Sequence, residues 1–164
     1  MKLLYLVRHG KAAWRHQEMN DHERPLKKKG REETAFISQH LAQKGVRPGL
    51  LVTSPAKRAL QTAEILAQDL EIHPDNLMIN ISLYNSSHEE LLAVILGLPN
   101  EYNEAMLISH DPEIANIASF LTNSVFEKIP TAGVVCISFP TNTWHTISQN
   151  SGHIEYSLSP KMFV

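Results

Sequence analysis

LLVTSPAKRALQTAEILAQDL, residues Leu50–Leu70, changes periodicity part-way along. Leu50 to Thr53 reads as a strand, with apolar residues in succession, which suits one covered on both faces. Ser54 is a favoured helix cap and Pro55 a favoured first helical residue, so a helix is expected to start there. Ala56, Ala59, Leu60, Ala63, Leu66, Ala67 and Leu70 then make a continuous stripe at helical spacing. A strand that feeds a helix through so short a turn is a unit of an α/β sheet.

The same unit recurs on either side. Upstream, MKLLYLVRHGKAAW opens the chain, and Leu3–Val7 predicts a strand that runs straight into Arg8, His9 and Gly10. Residues 10–25 read as a loop. Thr34, Ile37 and Leu41 recur at helical spacing in KKKGREETAFISQHLAQKG, although Gly30 is awkward there, and Lys44-Gly45 supplies an end. Downstream, residues 73–87 are less regular. Ser87 and Glu90 have capping-box spacing at the head of SHEELLAVILGLP, with Gly97 and Pro99 as the stop. Ala105–Ile108 predicts another strand, ended by Ser109-His110. Asp111 and Pro112 read as cap and first residue of a helix striped by Ile114, Ile117, Ala118 and Leu121. Val134–Phe139, Thr143–Ser148 and Ile154–Leu158 predict three more strands, with Trp144 in the sheet. The fold expected is a three-layer α/β/α sandwich with a mixed, mostly parallel central sheet. One domain, residues 1–164, is expected from the length.

Composition narrows the function classes. A net charge of −2 lacks the basic footprint of a nucleic-acid binder. The apolar run at the N-terminus stops at Val7, too short for a signal peptide or a membrane span, so no membrane partner and a cytoplasmic protein are expected. Cys136, the single cysteine, excludes an internal disulfide framework and reads as a buried small hydrophobe in VVCISF.

The chemistry lies just past three strand ends, where open α/β sheets form their sites. His9 is a candidate nucleophile, since a neutral imidazole with its second nitrogen tied down can form a covalent intermediate. Gly10 permits a turn that would free a carbonyl for that task. Arg8 and Arg58 match phosphate oxygens with their planar forks. His110 stands before a second Pro-started helix, as a donor to a phosphoryl oxygen. Taken alone, any of these is also an ordinary surface or structural residue.

Taken in order, the motifs make a resemblance. LVRHG (Leu6–Gly10), SPAKRALQTAE (Ser54–Glu64) and ISHDP (Ile108–Pro112) resemble the histidine phosphatase superfamily, which includes the phosphoglycerate mutases. HERPLKKKGREE (His22–Glu33) resembles the R-P-L-x-x-x-G stretch of SixA-type protein phosphohistidine phosphatases. The resemblance implies a phosphoglycerate mutase-like fold and His9 as the residue that takes the phosphoryl group. Arg8, Arg58 and His110 complete a phosphate pocket, and Arg24 borders it. It also implies no metal or other cofactor, with inorganic phosphate as product.

One departure bears on substrate. Relatives that cleave phosphate esters have a carboxylic acid before the third helix, yet residues 77–87 contain no Asp or Glu. An alkoxide needs a proton donor, whereas the imidazole of a phosphohistidine leaves protonated with a proton from solution. The expected activity is therefore hydrolysis of phosphohistidine on a protein, such as a phosphorelay component. One alternative is a broad phosphomonoesterase on small phosphorylated substrates, with Asp21, Glu18, Asp111 or His88 as the acid. Another is a non-catalytic phosphoprotein-binding module. His16, Asp21 and His22 are read as a surface loop rather than a metal cluster, and Lys27–Lys29 as a solvated helix face.

Overall fold

The computed structural model describes residues 1–14 and 18–163. In chain order the elements are β1 (Lys2–Arg8), α1 (Lys28–Gln43), β2 (Leu50–Thr53), α2 (Lys57–Asp69), β3 (Leu77–Ile79), α3 (His88–Leu96), β4 (Glu104–Ser109), α4 (Glu113–Leu121), β5 (Val134–Phe139) and β6 (His153–Leu158), with short 3-10 turns between some of them. The strands form one sheet in the order β3-β2-β4-β1-β5-β6. β3, β2, β4 and β1 pair in parallel, and β5 runs antiparallel to both β1 and β6.

Side chains alternate across this sheet, and both faces are covered. Leu4, Leu6, Val52 and Leu107 pack with α3 and α4, through residues such as Leu91, Ile95, Ile114 and Ile117. Tyr5, Val7, Leu51, Met106 and Ile108 pack on the other side with α1 and α2, through Ile37, Leu41, Ala63 and Leu66. The two apolar layers explain the unbroken hydrophobic runs in β1 and β2. Among the described residues no helix is long and apolar enough to cross a membrane.

Several boundaries differ from expectation. Thr143–Ser148 is not a strand. β6 occupies the edge of β5, while Trp144 lies fully buried in a 3-10 turn, Trp144–Thr146. Its amide donates to Asn100 Oδ1 and its indole to the Tyr102 carbonyl, so the chain is pulled inward there. The sixth strand is instead β3, three residues long, inside the stretch read as irregular. α2 begins at Lys57 with Ala56 as its cap, so Pro55 precedes the helix; Ser54 Oγ accepts the Ala56 amide at 3.3 Å. α4 likewise begins after Pro112, because the Asp111 carboxylate accepts the Ile129 amide rather than capping the helix. The Ser87–Glu90 capping box and the Gly97 stop of α3 are as expected.

Gly30 has a packing reason. The loop after β1 crosses α1 so closely that a Cβ on Gly30 would overlap the Lys11 carbonyl, and one on Gly10 would lie 2.5 Å from Thr34 Oγ1. Gly10 is therefore needed for close approach rather than for a left-handed turn. In an ordinary helix interior Gly→Ala stabilises by about 1 kcal/mol. Gly30→Ala is expected to do the reverse, costing about 1–3 kcal/mol through overpacking, seen as a lower urea midpoint with unchanged slope.

Candidate active site

The parallel registers carry three chain segments to one end of the sheet. Arg8 pairs with Ser109, and Thr53 with Ile108, so His9, Ser54 and His110 each stand just past a strand end. The His9 amide donates to the Ser109 carbonyl at 3.3 Å, and the Ser54 amide to the Ile108 carbonyl at 3.0 Å. These bonds join the first residues of the two turns to β4.

His9 is 8% exposed. Its Nδ1 lies 2.7 Å from the Gly10 carbonyl oxygen. A carbonyl only accepts, so the proton is on Nδ1 and Nε2 presents its lone pair. Arg58 Nε donates to that Nε2 at a long 3.4 Å. Gly10 is tied in turn: its amide donates to Thr62 Oγ1 at 3.0 Å, and Thr62 Oγ1 donates to the Arg58 carbonyl at 2.8 Å. Two residues of the RALQT run therefore serve the nucleophile candidate, one through its guanidinium and one through the loop. A third, Gln61, accepts the Leu26 amide at 2.7 Å and pins the R-P-L stretch beside α2.

His110, also 8% exposed, pairs Nε2 with Ser54 Oγ at 2.7 Å. Its buried Nδ1 has no hydrogen-bond partner among the described residues. The His9 and His110 rings are 5.0 Å apart, and Tyr84 meets His110 edge-on at 5.4 Å. Arg8 Nη1 donates to the Ile129 carbonyl, while its buried Nε has no partner among the described residues. Arg24 lines a cleft of about 220 Å³ with Arg8, His9, Lys11, Trp14 and Lys27. A cavity of about 480 Å³ lies elsewhere, between β3 and α3. It is mostly apolar, and Glu90, its only ionisable lining residue, is spent on the Ser87 cap.

Burial and neighbouring charge act together on the two imidazoles. Burial is the main cause that pushes His9 down to about 3, with His110, Arg58 and Arg8 adding repulsion. Burial and then Arg58 push His110 down to about 4. Arg8 is also lowered, by burial and by Arg58. The pocket thus holds positive charge beside two neutral imidazoles, which suits an anion and leaves His9 unprotonated for attack.

Sequence reasoning missed the main role of Asp21. It was read within a surface loop, yet it sits in a 3-10 turn, Asp21–Glu23, and its carboxylate reaches Arg58 Nη2 at 3.0 Å. Tyr84, from the segment between β3 and α3, donates to the same oxygen at 2.7 Å. Burial alone would raise the Asp21 carboxyl, but hydrogen bonds from Tyr84, Arg58 and Arg24 hold it well below the usual carboxylate range. No local pattern signals the Arg58 and Tyr84 contacts, because these partners lie 37 and 63 residues away. The other acid candidates differ. Asp111 lines a cleft with Arg58 and His110, Glu18 is exposed, and His88 sits against Phe120 and Glu89. Among the described residues no three His, Cys, Asp or Glu side chains are grouped to hold a metal; His16 lies outside the described residues.

A buried pocket at the carboxyl ends of parallel strands is where α/β proteins form their sites. The chain belongs to the histidine phosphatase superfamily (branch 1), whose family pattern matches residues 4–120. It is 47% identical over 72 residues to an uncharacterized protein of Picosynechococcus sp., covering 43% of this chain and 44% of that one. The match therefore spans less than half of that relative's length. Among solved structures, the protein histidine phosphatase SixA complexed with tungstate superposes with a TM-score of 0.85, at 22% identity over 99% of each chain. A putative phosphohistidine phosphatase SixA from Agrobacterium tumefaciens gives 0.82, at 24% identity over 97% of this chain and 99% of that one. Both share the fold.

The depressed histidines make stability depend on pH. Below about 6.5 an unfolded imidazole takes up a proton that the native one refuses until about 3 or 4. Stability therefore falls as pH falls through that window, by up to about 1.4 kcal/mol per pH unit for each ring. Loss of the Asp21 interactions runs in the same direction at lower pH. Urea midpoints measured from pH 7.5 to 4.5 are expected to drop, and His9→Asn with His110→Asn to flatten the slope.

Proposed function

We propose that the protein is a phosphohistidine phosphatase that works through a phosphorylated His9. The observation that carries this reading is the unprotonated Nε2 of a buried, neutral His9, oriented by the Gly10 carbonyl and met only by a long 3.4 Å contact from Arg58 Nε. Arg8, Arg58 and His110 serve as the phosphate ligands, and Arg24 borders them. Positive charge from two guanidiniums offsets the phosphoryl charge.

The cycle has two displacements. His9 Nε2 attacks phosphorus in line, a P–N bond forms, and the substrate imidazole leaves as the other P–N bond breaks, taking its proton from solvent. His9 keeps its Nδ1 proton on the Gly10 carbonyl, so the phosphorylated ring remains cationic. Water then attacks phosphorus and expels a neutral imidazole already in the tautomer needed for the next turnover. The water's proton goes to solvent, and inorganic phosphate departs. The chemistry asks for no strong acid at the leaving group, and Asp21 is held too acidic to supply a proton at neutral pH. That state of Asp21 weighs against the phosphomonoesterase alternative. The substrate is a phosphorylated protein side chain, and the site of action is the cytoplasm.

The test compares release from a phosphohistidine-bearing protein domain with release from p-nitrophenyl phosphate and small sugar phosphates. Release from phosphohistidine is expected to dominate. His9→Ala is expected to lose at least about a thousandfold and Arg58→Ala about a hundredfold. Comparable ester turnover points to the phosphomonoesterase instead. Phosphate binding with no turnover of any substrate by the wild type points to the binding module.

A further inference from the structure

Arg58 is gripped by its far end. Its Nη1 donates to the Asp21 carbonyl oxygen at 2.9 Å and its Nη2 to Asp21 Oδ2 at 3.0 Å. One residue thus takes the end-on edge of the guanidinium fork. The Nε side remains, and it faces His9 Nε2. Asp21 does not hang free on its loop. Tyr84 hydroxyl donates to Oδ2, Arg24 Nη1 donates to Oδ1 at 3.0 Å, and Arg24 Nε is anchored on the Ala13 carbonyl at 2.9 Å.

We propose that Asp21 is a positioning residue for phosphate recognition: it holds Arg58 by its Nη1–Nη2 end so that the Nε side meets the phosphoryl group at His9. The proposal rests on the reading of His9 as nucleophile and Arg58 as phosphate ligand. A guanidinium offers an oxyanion two bidentate edges, end-on through both Nη atoms or side-on through Nε and one Nη. With the end occupied, the edge left for an oxyanion is the one beside the nucleophile, where Nε makes only a long 3.4 Å contact with His9 Nε2. Arginine is a long side chain with much rotamer freedom to lose, and ordering it before the substrate arrives removes that cost from binding. The carboxylate suits this task and not proton donation, since its hydrogen bonds outweigh its burial and keep it ionised. Arg24 and Tyr84 come from segments about 60 residues apart, so Asp21 also joins the R-P-L loop to the segment before α3.

The test is a double-mutant cycle read by calorimetric binding of inorganic phosphate to the full chain. Wild type, Asp21→Ala, Arg58→Ala and the double variant are compared, with melting temperatures as a fold check. Asp21→Ala is expected to weaken phosphate binding about tenfold in the wild-type background and to add nothing, within about twofold, once Arg58 is gone. With the phosphohistidine domain as substrate, the same dependence on Arg58 is expected in kcat/KM. Equal losses on both backgrounds overturn the proposal, as does tighter phosphate binding, which would mark Asp21 as a repelling charge. If Asp21→Ala fails to fold, Tyr84→Phe takes its place, with a smaller loss and the same requirement for Arg58. A wild type that binds no phosphate overturns this proposal together with the reading it rests on. A wild type that binds phosphate and phosphorylates His9, with additive losses, overturns this one alone.

Discussion

The site depends on parallel pairing of one central strand, β4, with both β1 and β2. Parallel strands end on the same side, and the register leaves His9, Ser54 and His110 one step beyond their strands. A one-residue slip in β1 would exchange the Leu4 and Leu6 face with the Tyr5 and Val7 face, misfitting both packed layers, and turn His9 away. The core and the active site are therefore specified by the same constraint. The two apolar layers that bury Leu4 and Leu6 on one face and Tyr5 and Val7 on the other also hold the imidazole in place.

Burial at that edge has an electrical consequence. His9 and His110 are enclosed beside Arg8 and Arg58, and both effects oppose protonation. Their neutral state has opposite meanings for folding and for chemistry. It makes the fold sensitive to acid, and it leaves a lone pair on His9 at neutral pH. Asp21 offsets part of the charge on Arg58, and the positive charge that remains beside two neutral imidazoles favours an anion.

The loop after β1 belongs to the site as much as the strand does. Its path is set by close backbone approach at Gly10 and Gly30, by the Gly10 amide on Thr62 and by the Leu26 amide on Gln61. That path brings Asp21 onto Arg58. The RALQT run thus combines an arginine that faces His9 with two side chains that hold the loop in place, which gives a physical reason for those residue types at that spacing.

The sequence alone determined the alternation of strand and helix and the coverage of the sheet on both faces, which are legible because periodicity is a local property. Strand-end chemistry singled out Arg8, His9, Arg58 and His110 as candidates, and it was the resemblance of their motifs to a known family that made them a group. Helix starts were less legible. Ser54 and Asp111 look like caps in isolation, but Ser54 turns to His110 and Asp111 to Ile129, and the helices begin later. Thr143–Ser148 carries strand-like residues, yet tertiary bonds from Asn100 and Tyr102 draw Trp144 into the core. Only the tertiary structure decided which nitrogen of His9 is bare, since that follows from a 2.7 Å contact with the Gly10 carbonyl. It alone placed Asp21 on Arg58 and Tyr84 on Asp21, because a hydrogen bond between residues so far apart in the chain leaves no pattern in either neighbourhood.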